Sequence, residues 1–193
     1  MSDLLQSPNN AWLWPVVAIA LIVLIWLLYR YFFRRAGGLE HAIQEISFDC
    51  IEGLIIPNAD EGEILVDYLL LTSNGLLILD VKDVQGTVFG GDKLQDWTVI
   101  TDKRRFTFSN PQPSLYDRIA AVRQIVREVP VAGRILFLDG AEFSKGVPDL
   151  VSDIANLVAE FGEPDKNAAK FKIEAFKPYW EQIRKKALHS GAS

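Results

Sequence analysis

The chain has 193 residues, 49% of them hydrophobic, with 20 Lys+Arg against 25 Asp+Glu and a formal net charge of −5. This apolar content excludes an intrinsically disordered chain, and the length allows one domain plus an appendage. The acidic balance excludes a protein that gathers polyanions by its average field, and the single cysteine, Cys50, excludes an internal disulfide and a cysteine-ligated metal site.

Residues 11–29 read AWLWPVVAIALIVLIWLLY, without a charge. Continued past Arg30 to Phe33, the run is long enough to cross a bilayer core of about 30 Å as a helix. It is apolar on every face, unlike the one-sided stripe of a helix that covers a soluble core. Pro15 lies near one end, and Trp12, Trp14, Trp26 and Tyr29 lie towards the ends, as interfacial anchors do. Asp3 is the only charged side chain before it, whereas Arg30, Arg34 and Arg35 follow it. The positive-inside rule therefore places the C-terminal side in the cytoplasm. A cleaved signal peptide would show a basic start and a small-residue cleavage site, and neither is visible. The expected organisation is a short extracytoplasmic N-terminus (1–10), a single transmembrane helix (11–33), a juxtamembrane hinge ending at Gly37-Gly38 (34–38), a cytoplasmic domain (39–165) and a C-terminal basic helix and tail (166–193). This is the layout of a single-pass inner-membrane protein. Setting aside Asp3 and the three flanking arginines leaves 17 Lys+Arg against 24 Asp+Glu, so the body itself is acidic.

In the body, Leu39, Ala42, Ile43 and Ile46 recur at helical spacing within LEHAIQEIS and predict a short amphipathic helix. GLIIP, residues 53–57, predicts a short strand stopped by Pro57, and Asn58 to Gly62 a turn. Glu63–Leu71 and Leu76–Lys82 are strand-like runs around Asn74-Gly75, the strongest short-range hairpin signal. Both faces of these strands are apolar: Leu69, Leu71, Leu76 and Ile78 on one, Leu70, Leu77, Leu79 and Val81 on the other. Such strands are covered on both sides. A second hairpin is expected over Trp97–Ile100 and Arg105–Phe108, with TDKR as its turn. Asn110-Pro111 opens a loop. Leu115, Ile119, Val122, Val126 and Val129 mark an amphipathic helix from Ser114 to Val129. Arg134–Asp139 reads as a buried strand, Asp149–Phe161 as a helix with Leu150, Ile154, Leu157, Val158 and Phe161 inward, and Pro178–Ser190 as a short basic helix. The order is that of an α/β fold around a mixed sheet flanked by helices.

Two strands so apolar should not carry charges, yet Asp67, Asp80 and Lys82 interrupt them. If Asn74-Gly75 is a two-residue turn, paired numbers sum to 149 and Asp67 faces Lys82. A four-residue turn lowers the sum to 147, and Asp67 faces Asp80. In either register the three charges share one face, because positions two apart and positions directly opposite do. Buried and unpaired, each would cost several kcal/mol. One resolution is a structural Asp67–Lys82 cross-strand pair with Asp80 exposed. The other is a divalent-metal site: Mg²⁺ prefers oxygen ligands and keeps several waters. A lysine beside it can polarise the attacking water and offset charge that grows on a phosphate.

Two basic runs stand apart from this cluster. Lys103-Arg104-Arg105 is a solvated hairpin turn or a phosphate contact. Arg184-Lys185-Lys186, near Tyr179 and Trp180, is a solvated helix face or a contact to anionic lipid or nucleic acid. His41 and His189 lie far apart. No GxxxxGK[ST], GxGxxG or HExxH pattern occurs, so nucleotide-triphosphate and zinc-protease chemistry have no support.

Asp67 followed by Asp80-Val81-Lys82 resembles the signature of the PD-(D/E)XK nuclease superfamily. With Gly86, Trp97, Asn110-Pro111 and RILFLDGAEFSKGVP after it, the stretch from about residue 39 to 150 resembles the nuclease-related domain, NERD. The resemblance implies a restriction-endonuclease-like mixed sheet flanked by helices. It implies Asp67, Asp80 and the main-chain carbonyl of Val81 as ligands of Mg²⁺ or Mn²⁺, Lys82 as the catalytic lysine, and Glu40 on the first helix as an additional acid. Nucleic acid is the implied substrate and phosphodiester hydrolysis the implied reaction. Asp83 and Ser114 stand where members of the family often carry Asn and Gln. The alternative is a NERD fold kept as a non-catalytic binding or scaffold module at the membrane.

Overall fold

The computed structural model of the protein describes residues 38–57, 62–162 and 166–190, together with residue 17. The expected transmembrane helix, residue 17 apart, and most of the turn after Pro57 lie outside the described residues. Among the described residues no helix is long and apolar enough to cross a membrane. The body, Leu39–Ser193, is one compact unit, distinct from Met1–Gly38.

The body begins with the expected amphipathic helix, α1 (38–46). Three strands follow: β1 (Asp49–Pro57), β2 (Glu63–Thr72) and β3 (Gly75–Lys82). Then come β4 (Gly86–Phe89), β5 (Asp96–Ile100), β6 (Arg105–Ser109), α2 (Pro111–Ile125), β7 (Val131–Phe137), β8 (Ala141–Phe143), β9 (Val151–Ser152), α3 (Ile154–Phe161) and α4 (Lys166–Ser190). They build two mixed sheets, a five-stranded one ordered β1-β2-β3-β7-β9 and a four-stranded one ordered β6-β5-β4-β8. In the larger sheet β2 runs antiparallel to β1 and β3, and β7 runs parallel to β3 and β9. A mixed α/β architecture with flanking helices is thus observed. The second sheet goes beyond the sequence reading, which found only its β5–β6 hairpin. β4 and β8 are too short to show a hydrophobic period; β4 is a strand because it pairs with β5 and β8, and β8 because it pairs with β4.

The two-sided apolar character of β2 and β3 organises the layers. Leu69, Leu71, Leu76 and Ile78 join a core with Leu115, Ile119 and Val122 of α2, Trp180 and Ile183 of α4, and Val88, Trp97 and Val99 of the small sheet. Leu70, Leu77 and Leu79 join a second core with Ile43 and Ile46 of α1 and Leu157 and Phe161 of α3. Leu76, Leu77, Ile78 and Leu79 are all at most 1% exposed, as a strand covered on both faces requires.

The hairpin register is the one that sums to 147, from Tyr68↔Leu79 to Thr72↔Gly75. It arises without a four-residue turn, because the turn is Ser73-Asn74 rather than Asn74-Gly75. The Thr72 hydroxyl donates to the Gly75 carbonyl (2.9 Å) and accepts the Asn74 amide (3.2 Å), which closes the loop one residue early. Gly75 has a different task. It holds φ +117°, and a Cβ there would lie 2.3 Å from the Pro130 carbonyl oxygen, to which Leu76 N donates. Glycine lets β3 start where the chain entering β7 crosses it.

Three further differences stand out, two of them set by a side chain that caps a helix start. Asn110-Pro111 does not open a loop but starts α2. The Asn110 carboxamide oxygen caps the Gln112 amide at 2.9 Å, and Pro111 occupies the first turn, where no amide is needed. Asp153, not Asp149, caps α3 through the Asn156 amide (2.7 Å); before it the chain turns at Leu150, φ +63°, and pairs as β9. The C-terminal helix extends back to Lys166 through Pro178. Its Trp180 is buried and donates its indole N–H to Asp49 Oδ2 at 2.9 Å, tying the end of the chain to the start of β1.

Trp97, 0% exposed, sits at the junction of the two sheets. Its ring stacks on Phe137 of β7 at 6.2 Å and meets Phe108 and Phe143 edge-on at 6.1 Å each. Replacing it by alanine should cost about 3–5 kcal/mol, the usual range for a large buried aromatic. Urea denaturation followed by circular dichroism measures this; an unchanged midpoint would show that the small sheet contributes nothing to the fold.

Candidate active site

The ends of β2 and β3 carry the charges. In the observed register the pair after Tyr68↔Leu79 is Asp67 and Asp80, on the face that α2 covers. Lys82 is the last residue of β3, and its ladder partner is Phe137. Asp67, Asp80 and Lys82 therefore do share a face, at the one polar end of an otherwise apolar pair of strands.

Their contacts differ from a cross-strand Asp67–Lys82 pair. Asp67 Oδ2 accepts the Val81 amide at 3.0 Å, so its side chain replaces the ladder bond where pairing stops. Lys82 Nζ instead reaches Asp80 Oδ1 on its own strand, at 2.5 Å. Asp80 is not exposed: its side chain is 2% accessible, while that of Lys82 is 28% accessible. The second carboxylate oxygen of Asp80 lies 3.5 Å from Nη1 of Arg118 on α2. Arg118 is held from the other side, its Nε donating to the Leu65 carbonyl at 2.6 Å. Its Nη1 is buried and makes no hydrogen bond, so it acts on Asp80 as a close charge. A carboxylate desolvated this far persists only beside compensating cations, and two are present.

Sequence reasoning missed Arg118. The signal was its place on the helix: three residues after Leu115 and four before Val122, an arginine lies on the inward face of α2. A cation in that position needs an anion beneath it.

The oxygen donors suit a hard cation. Asp67 and Asp80 are neighbours in register. The amide and carbonyl of one strand residue point the same way, so the Val81 carbonyl points with its amide towards β2 and Asp67; that of Lys82 points to β7, where it accepts Leu138 N at 3.1 Å. Two carboxylates and a carbonyl are enough for Mg²⁺, which is usually held by one or two carboxylates and keeps its waters. Among the described residues no group of three or more His, Cys, Asp or Glu gathers to hold a metal. Glu40 stands exposed on α1, the helix that packs on the opposite face of the sheet.

A second polar cluster sets the start of α2, and so the position of Arg118. Gln112 Nε2 donates to Asp92 Oδ1 (2.7 Å) and to the Asp149 carbonyl (2.6 Å), and Asp149 N donates to the same Asp92 oxygen at 2.9 Å. Asn110 Nδ2 donates to the Leu94 carbonyl at 2.9 Å. Asn110-Pro111-Gln112 is thus a clip on two loops. The hydrogen bonds from Gln112 and from the Asp149 amide hold the Asp92 carboxyl below the usual aspartate range. A carboxyl depressed in the folded state stabilises above its unfolded pKa, so the clip is complete at neutral pH and weakens only as acid protonates Asp92. Ser114, one turn on, is exposed.

The family model of the nuclease-related domain matches residues 38–138, more than half of the chain. The protein belongs to the nuclease-related domain (NERD) family. It is also 22% identical, over 63 residues, to an uncharacterized protein of Bacillus anthracis. The match covers 33% of this chain and 30% of that protein, so the chain spans under a third of the relative's length. No solved structure matches.

Two outcomes follow from the site and its surroundings. Asp80→Ala strands two cations and should lower stability by about 2–3 kcal/mol. Adding Arg118→Met removes one stranded charge and should restore part of that loss in a double-mutant cycle read by urea denaturation; simple additivity would mean that the two groups do not interact. Cys50 is half-buried, and burial, then Glu52 and Asp49, push its thiol up to about 11. Its alkylation at pH 8 should be at least about tenfold slower than that of a free thiol and should rise steeply only as pH nears that value, because the thiolate is the nucleophile. A fast reaction at pH 8 would contradict this.

Proposed function

We propose that this protein is a membrane-anchored NERD phosphodiesterase that hydrolyses nucleic acid with Mg²⁺ or Mn²⁺. The observation that carries the reading is the convergence of Asp67, Asp80, the Val81 carbonyl and Lys82 at the only polar end of β2 and β3. Asp67, Asp80 and the Val81 carbonyl would hold the ion, which supplies Lewis-acid polarisation of a phosphoryl oxygen and a more acidic bound water. Lys82 is the most accessible of the cluster's cations and the one that a phosphate can meet. Its ammonium can orient a water and offset the charge that grows on the phosphate oxygens. Asp80 fixes Lys82 from its own strand, and Arg118 holds Asp80 from behind. The charge-free run at 11–29, with Arg30, Arg34 and Arg35 after it, supports an anchor with the body in the cytoplasm.

One observation favours the non-catalytic reading. With Lys82 and Arg118 both against it, Asp80 is already compensated without a metal, as in a structural ion cluster. A scaffold of this fold would need nothing more.

The full-length protein in detergent micelles, given single- and double-stranded DNA and RNA with Mg²⁺, Mn²⁺ or EDTA, separates the two. Metal-dependent cleavage that falls at least about a hundredfold in Lys82→Ala, and is lost in Asp80→Asn, is the expected result, with both variants shown to be folded. Absence of cleavage on all four substrates by folded wild type would favour the scaffold.

A further inference from the structure

An acidic body with its carboxylates near Lys82 repels a polyanion unless cations stand close by. One cationic group does so. Lys103 and Arg104, in the turn between β5 and β6, and Arg105, the first residue of β6, are consecutive and exposed. The turn is ordered by its own bonds. Thr101 N donates to the Arg104 carbonyl at 2.9 Å, and the Thr101 hydroxyl donates to that carbonyl while accepting the Lys103 and Arg104 amides at 3.3 and 3.0 Å. The Arg104 guanidinium lies 5.4 Å from the centre of the Phe106 ring, which restricts where it can point. Other arginines are spent on partners: Arg134 on Glu160, Arg118 on Asp80, Arg184 on Asp49. Among the described residues no ion pair involves the three cations of this turn, and the one acid within it is Asp102.

The fold sets this turn beside the polar end of β3. Thr87 of β4 pairs with Ile100, and a Cβ on Gly86 would lie 2.5 Å from the Ile100 carbonyl oxygen. Three residues link Gly86 to Lys82, a span of at most about 14 Å. The hairpin is also braced on that end, since Phe137, the ladder partner of Lys82, stacks on Trp97 of β5.

We propose that the Lys103-Arg104-Arg105 turn is the docking surface for the sugar–phosphate backbone of a nucleic-acid strand, placed so that a phosphodiester a few nucleotides away reaches Lys82. The proposal builds on the phosphodiesterase reading and adds the place where the substrate is gripped. It assigns affinity to the turn and chemistry to the strand ends. The contacts are to phosphates, so binding is independent of base sequence and falls with salt.

The test measures binding apart from cleavage. Full-length protein in neutral detergent with EDTA is titrated against a short fluorescent single strand, with anisotropy read across a range of salt. The expected result for Lys103→Ala/Arg104→Ala/Arg105→Ala is a rise in Kd of about tenfold or more near 0.1 M salt. The slope of log affinity against log salt should fall by about 2, or about 0.7 for each lost cation. The melting temperature should not change, because the replaced side chains are exposed. Lys170→Ala/Lys172→Ala, on the exposed side of α4, should bind as wild type does. Equal affinity and slope in the triple variant would overturn the proposal, as would an equal loss in the α4 control or no binding by wild type. Cleavage distinguishes the two readings. Wild type that cleaves while the triple variant binds and cleaves equally well removes the docking surface and leaves the phosphodiesterase. Wild type that binds through the turn yet never cleaves removes the phosphodiesterase and leaves the docking surface.

Discussion

A strand that is apolar on both faces must be covered on both, and β3 imposes that condition on the whole body. Leu76 to Leu79 are sealed from water, two facing α2 and α4, two facing α1 and α3. Fully burying a leucine-sized side chain is worth about 1.5–3 kcal/mol, so exposing either face would cost several kcal/mol. Everything else is arranged around keeping both layers closed. α4 returns from the end of the chain to lay Trp180 and Ile183 on the side that α2 leaves open. Gly75 and Gly133 let neighbouring groups approach closely, Gly133 lying under Leu115 and Ile119 of α2.

That closure gives the charges at the end of β3 their character. A water-exposed Asp80 would be unremarkable to the chain; beneath α2 it needs cations, and its own strand and the helix above each supply one. The polar end is therefore a stability element, and it is also where the proposed chemistry would take place. The two roles make opposite demands. Compensation by Lys82 and Arg118 makes Asp80 affordable when buried, and it also occupies the oxygens that a metal would use. Asp67 carries a smaller load, one amide from Val81, and keeps more of its lone pairs free.

The small sheet links this end to the surface. β4 and β8 continue from β3 and β7, and Trp97 locks β5 against Phe137. The β5–β6 turn is thus linked to the end of β3 through packed strands, although Lys103 lies 21 positions after Lys82 in the chain. Loops that carry function on a firm scaffold are a common solution, because positioning precision comes from the packed strands beneath.

By itself the sequence determined the alternation that places Asp67, Asp80 and Lys82 on one face. A side-chain period of two is a local property of any strand. It also determined the two-sided core, from the leucines on both faces of the hairpin, and the family, from Asp67, Asp80-Val81-Lys82 and the elements after them. Only the tertiary structure decided the partners. Gly75 starts β3 against Pro130, which is 55 residues away in the chain. Arg118 reached Asp80 because α2 packs on that face. Asn110-Pro111 became a cap rather than a loop because Asp92 and Asp149, distant in sequence, anchor Gln112. Local pattern dictates which way a side chain faces; which group meets it there is set by long-range packing, and no spacing along the chain records it.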